Sequence, residues 1–139
     1  MMEIDEKIDS FLQQTLVAVL GTIDQAGNSH LSPIWFHWED GAAYMFTGRD
    51  TVKWRHIEAH PYSSLCIDWR KPPYSAVILN GPVVEVDRPV YDLVLSMALR
   101  YYGEKKGREF ADNYRDNPPG VVAFGLTPRR IISTLEEGT

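Results

Sequence analysis

Cysteine is almost missing from this chain of 139 residues: Cys66 stands alone, so no disulfide can close within it. Histidine is sparse as well, four residues without motif spacing, which gives no zinc site of the usual pattern. No apolar run approaches the length of a membrane span. The opening Met1-Met2-Glu3-Ile4-Asp5-Glu6-Lys7 is acidic and lacks the basic and apolar regions of a signal peptide, so a cytoplasmic protein without a membrane association is expected. An excess of positive charge is also lacking. The net charge of −5 and a pI near 5.3 speak against a general nucleic-acid binder, which needs a basic face to hold the phosphate backbone. Repeats and low-complexity segments are absent, and the 44% hydrophobic content fits one compact domain, residues 1–139, with a core of its own.

Against that acidic background, Thr47-Gly48-Arg49-Asp50-Thr51-Val52-Lys53-Trp54-Arg55 crowds three cations around what reads as a helix start. Unpaired backbone N–H groups and the positive end of the macrodipole already disfavour cations there, and a bound phosphate would relieve the conflict. Thr51 suits either an N-cap or a phosphate hydrogen-bond donor. Lysine and arginine suit phosphate as point charge and fork. A solvated basic turn is the other reading of the same residues. One cation cluster in an acidic protein points to a small anionic ligand.

The rest of the chain reads as strands with a few helices between them. Ile4, Ile8, Phe11 and Leu12 recur at helical spacing and open it. Strands are expected over 16–23, 29–38 and 42–48, joined by turns at Asp24-Gln25-Ala26-Gly27-Asn28 and Glu39-Asp40-Gly41. A helix over about 51–59 must stop before Pro61. A fourth strand over 62–69 places Leu65, Ile67 and Trp69 on one face, and a fifth over 75–86 bends at Asn80-Gly81-Pro82. Asp87 is expected to cap a helix whose stripe is Val90, Leu93, Val94, Met97 and Tyr101, ending at Gly103. A short helix over about 107–115 and a strand over 121–135, broken at Pro128, complete the chain. About six meandering strands with inserted helices predict a small closed or partly split barrel, mainly β.

Pro33 falls inside the second strand and cannot donate to a ladder. It marks an edge, a bulge or a place where two sheets separate, and an opening there would admit a planar ligand against the backbone. Trp35 and Trp38 alternate with Phe36 and His37, so both faces of the segment carry aromatic surface, for core packing or for ligand contact. His30, His37, His56 and His60 include candidates for a haem ligand, although a histidine on a half-buried strand commonly serves as a hydrogen-bonded structural residue. No residue is an evident catalytic acid or base.

In their order, Ser32-Pro33-Ile34-Trp35-Phe36, Tyr44-Met45-Phe46-Thr47, Thr51-Val52-Lys53-Trp54-Arg55-His56-Ile57 and Pro61 resemble the pyridoxamine 5′-phosphate oxidase-like family of flavin-binding split barrels. The resemblance covers nearly the whole chain and is strongest from Gly21 to Val86, with Gly81 matching the family's glycine after the fifth strand's apolar run. The family pattern Lys-x-Arg-Asn-Leu/Ile is met by Lys53, Arg55 and Ile57, with His56 standing where asparagine is usual and His60 where an acid or amide often precedes the proline.

The resemblance implies a six-stranded split β-barrel with peripheral helices that binds FMN, an oxidoreductase acting on a small molecule. Ser32, Pro33, Ile34 and Trp35 would run along the ring and Thr47 would lie beside the cofactor. Arg49 and Thr51 would assist Lys53 and Arg55 at the phosphate. It also implies a homodimer with sites at the subunit interface, which would use aromatics such as Trp69 beyond the needs of one core. The tail Thr127-Pro128-Arg129-Arg130 has no matching histidine, so vitamin B6 oxidation is not expected. Alternatives are a reductase using the deazaflavin coenzyme F420, whose long anionic tail would favour a wider basic groove, and a flavin- or haem-binding protein that turns over nothing. Because flavin carries the hydride chemistry itself, a missing catalytic motif does not separate these.

Overall fold

Alternating apolar and polar positions become an eight-stranded antiparallel sheet in the computed structural model, which describes residues 2–135. Helix α1 (Glu6–Leu12) leads into β1 (Ala18–Ile23), β2 (Ser29–Ile34), β3 (His37–Glu39) and β4 (Ala42–Gly48). Then come α2 (Val52–Ala59), β5 (Tyr62–Trp69), β6 (Ser75–Glu85), α3 (Val90–Tyr102) and α4 (Glu104–Ala111). A 3₁₀ turn (Asp112–Tyr114), β7 (Val121–Leu126) and β8 (Arg130–Thr134) follow. The strand order is β2-β1-β5-β6-β7-β4-β3, with β8 also on β6. The barrel is split: β2 and β3, neighbours in sequence, end up at opposite ends of that order.

Eight strands arise from the expected six because two runs are interrupted. The run over 29–38 breaks at Trp35, whose ring leaves the ladder to stack on Tyr101 at a centroid distance of 4.7 Å. The last run breaks where Gly81 faces Thr127-Pro128. A Cβ on Gly81 would lie 2.1 Å from the Thr127 carbonyl oxygen, so only glycine lets the two backbones pass. There the register on β6 shifts by one residue, from Val83 opposite Leu126 to Asn80 opposite Arg130, as at a bulge. The expected bend in β6 and the expected break at Pro128 are therefore two sides of one junction.

Inward-facing Leu20, Leu65, Ile67, Leu79 and Phe124 form the main core, closed at one side by Phe11 and Leu12 of α1 and by Trp54 and Ile57 of α2. A second cluster joins Val90, Leu93, Val94 and Met97 of α3 to Ala123, with Tyr44, Phe46 and Trp35 packed against it. The expected α3 stripe is buried, but its cap differs. Asp87 does not cap the helix: Pro89, in extended conformation, takes the N-cap position without a side-chain bond, and Asn117 Oδ1 accepts from the Tyr91 amide at 2.9 Å instead. The next helix also begins earlier than expected, at Glu104 rather than near Gly107. Gly103 adopts φ 85° and turns the chain from α3 directly into α4, while Gly107 lets the two helices touch.

Candidate functional site

Helix α2 starts as the sequence suggests, and its start is electrostatically unbalanced. Thr51 is the N-cap; its hydroxyl accepts from the Trp54 amide at 3.3 Å and donates to the Gly48 carbonyl at 2.8 Å, with the Thr47 hydroxyl 3.3 Å away. No acidic residue occupies the first turn. Lys53, in that turn, is half-buried and makes no ion pair among the described residues, and burial pulls its ammonium below the ordinary lysine range. A cation without a partner, beside unpaired helix N–H groups, favours an anion.

The other two cations of the cluster, Arg49 and Arg55, do not share this position. Arg49 grips Glu85 with both ends of its guanidinium, at 3.1 and 2.7 Å, and its Nε donates to the Pro119 carbonyl at 3.1 Å. This exposed pair holds the Glu85 carboxyl below the usual carboxylate range. Arg55 follows Lys53 by two residues, about 200° further round the helix. It lines a separate cleft with Asp24, Ala26 and His56. The structure thus joins Thr47 to Thr51 on the helix turn that carries Lys53, turns Arg49 to Glu85 and sends Arg55 elsewhere.

Pro33 lies on β2, which pairs with β1 alone and is an edge of the sheet, one of the three placements expected of that proline. Where β2 ends, Val17, Pro33, Ile34, Trp35, Phe46 and Phe110 line an open hollow of about 240 Å³ without a charged group. Its walls come from β2, from β4 and from α4, so it occupies the split between the two ends of the sheet. Phe46 lines the hollow, whereas Thr47, the next residue of β4, faces the other side of the strand. Ser32, opposite Leu20, carries a buried hydroxyl without a hydrogen-bond partner. Val17, just ahead of β1, and Phe110 of α4 had no signal in the sequence, since the fold alone brings them to the end of β2.

His56, standing where the family has asparagine, accounts for how α2 is seated. Its Nδ1 lies 2.9 Å from the Thr22 hydroxyl on β1, and its ring meets His30 on β2 edge-on at 5.4 Å. These histidines tie helix to sheet. Among the described residues no group of three or more His, Cys, Asp or Glu side chains is placed to hold a metal ion, and no helix is long and apolar enough to cross a membrane. Three features stand out among these elements: an uncharged slot at an open edge, a buried hydroxyl without a partner on β2, and a lysine without an ion pair in the first turn of α2.

Comparison with solved structures places the fold among split barrels. A conserved hypothetical protein, Rv2991 of Mycobacterium tuberculosis, superposes with a TM-score of 0.79 at 20% identity, over 95% of this chain and 84% of that one. A structure named F420 reductase gives 0.74 at 20% identity, over 93% and 98%. The haem storage protein HutZ of Vibrio cholerae gives 0.70 at 16% identity, over 94% of each chain. No curated protein matches the sequence. The family model described as Pyridoxamine 5′-phosphate oxidase matches residues 4–134, nearly the whole chain, and the protein therefore belongs to the pyridoxamine 5′-phosphate oxidase family of split barrels.

Proposed function

We propose that the protein is an FMN-dependent oxidoreductase acting on a small molecule, with the flavin ring along the strand at Ser32, Pro33, Ile34 and Trp35, in the hollow that the last three line, and its phosphate on α2. The observation that carries this reading is Lys53, half-buried in the first turn of α2 and lacking an anion. Thr51 and Thr47 add hydroxyls beside it. Bound flavin supplies the hydride chemistry. The chain's own part is to hold the ring against the edge strand, to keep the slot apolar through Val17, Phe46 and Phe110, and to fix the phosphate. With Arg49 engaged by Glu85 and Arg55 on another side of the helix, Lys53 is the cation left without an ion pair at the helix start among the described residues, which suits FMN's one phosphate better than the longer anionic tail of coenzyme F420.

Titration of FMN and riboflavin into the purified apo protein tests this. Each charge-assisted hydrogen bond contributes roughly 1.5–3 kcal/mol, so Lys53→Ala should weaken FMN by about ten- to a hundredfold and leave riboflavin nearly unchanged. Arg55→Ala should have the smaller effect, because its side chain leaves the helix on another face. Equal losses of FMN and riboflavin in Lys53→Ala would remove the phosphate role. Failure of the wild type to bind FMN, with uptake of coenzyme F420 or haem in its place, would replace the cofactor.

A further inference from the structure

Between α1 and β1 the chain runs over residues 13–17 outside any ladder, and the last of them, Val17, is a wall of the hollow. Packing does little to hold it there, since Val17 is 47% exposed and Gln13 and Thr15 are exposed as well. Two consecutive residues of α3 hold the segment instead. Arg100 Nη2 donates to the Gln13 and Gln14 carbonyls at 2.7 and 2.8 Å, which occupies carbonyls left open at the end of α1. The Tyr101 hydroxyl donates to the Leu16 carbonyl at 2.5 Å. Burial pushes the Tyr101 pKa up, so the hydroxyl keeps the proton it donates. The face of the same ring stacks on Trp35, another wall of the hollow, with the two planes 4° apart. One side chain therefore holds two walls that come from separate parts of the chain, Trp35 through its ring and Val17 through the carbonyl just before it.

We infer that Tyr101, seconded by Arg100, is a positioning residue of the hollow, fixing the Trp35 and Val17 walls relative to each other before a ring arrives. A ring then enters a preformed slot, and the cost of ordering residues 13–17 is met on folding rather than on binding. Tyr101 itself is absent from the lining of the hollow, so it acts through the two walls. Its effect belongs to the ring and not to the phosphate: Lys53 should separate FMN from riboflavin, and Tyr101 should treat them alike. The inference rests on the cofactor reading for what fills the slot, but the brace exists without a ligand and can be tested without one.

The test uses the full-length apo protein and two variants that loosen the segment from different sides. Tyr101→Phe keeps the stacked ring and removes the bond to Leu16; Arg100→Met removes the bonds to Gln13 and Gln14 and leaves the stack in place. In hydrogen exchange followed by mass spectrometry, the amides over 13–17 should exchange about five- to tenfold faster in either variant, while those of β5 and β6 keep their protection. Titrated into Tyr101→Phe, riboflavin and FMN should each weaken by about five- to tenfold and by the same factor. Exchange over 13–17 at the wild-type rate, riboflavin affinity unchanged in spite of faster exchange, or a loss confined to FMN would each overturn the assignment. Protection lost throughout the sheet in both variants would overturn it too, by reducing the two residues to general support of the fold. If the wild type binds neither flavin, the cofactor reading falls, and faster exchange confined to 13–17 still keeps the brace.

Discussion

Lys53 occupies a position where a lysine is unfavourable on two counts, burial and the positive end of a helix, and this gives the cofactor reading a pH signature. Its pKa is lowered by burial, so the folded apo protein releases that proton below the ordinary lysine range, near pH 10.4, while the unfolded chain still holds it. In that window the unfolded state binds more protons, and the Lys53 contribution to apo stability rises with pH. A phosphate does the reverse to the lysine, stabilising its charged form. FMN affinity should therefore fall as pH rises through the depressed Lys53 pKa, whereas riboflavin affinity should not follow. Dissociation constants for both ligands at neutral pH and at several alkaline values would show it, and parallel curves would count against the assignment. Thr51 and Lys53 were legible in the sequence because cap chemistry and helix polarity are local. Arg49 was not: its partner Glu85 lies 36 positions away, and no local rule links them. The separation of Arg55 from Lys53 follows from a two-residue spacing, which on a helix points side chains apart.

Strands whose inner and outer faces meet different surroundings were read closely. The sequence expectation over 42–48 and 62–69 coincides with β4 and β5, since the alternation there is unbroken. Errors fell where a tertiary partner intervened. Trp35 is drawn out of its run by Tyr101, and the cap of α3 is supplied by Asn117 rather than by the adjacent Asp87. Neither partner is visible from within ten residues. The α3 stripe itself is a firm element. Leu93 is fully buried, between the sheet and the rest of the second cluster. Leu93→Asp should cost about 3 kcal/mol or more, by lost burial together with an unpaired carboxylate in an apolar site. Urea denaturation of the variant checks this, and an unchanged midpoint would show that α3 does not seal the barrel as described.

The whole molecule leaves one sheet face incomplete. Pro33, Val19, Cys66, Ile78 and Ile132 stand in one row across β2, β1, β5, β6 and β8, on the side away from the core. Ile132 in this row is 42% exposed, and beyond it Leu31, lying over Gly21, is 69% exposed and Ile23 41%. An apolar row of this extent is unusual on a lone soluble domain and calls for a cover. We propose a second copy of the chain as that cover, in a two-fold dimer whose partner completes the rim of the cofactor hollow. Leu31→Glu tests the idea with little risk to the fold, because the side chain is exposed in the single subunit and a surface change there costs the protomer little. The wild type should sediment as a dimer at micromolar concentration and the variant as a monomer, with FMN binding weakened together with riboflavin binding, because the lost partner borders the ring rather than the phosphate. A wild type that sediments only as a monomer would remove the dimer. A monomeric variant that binds both ligands normally would leave the dimer in place and assign the whole cofactor site to one chain.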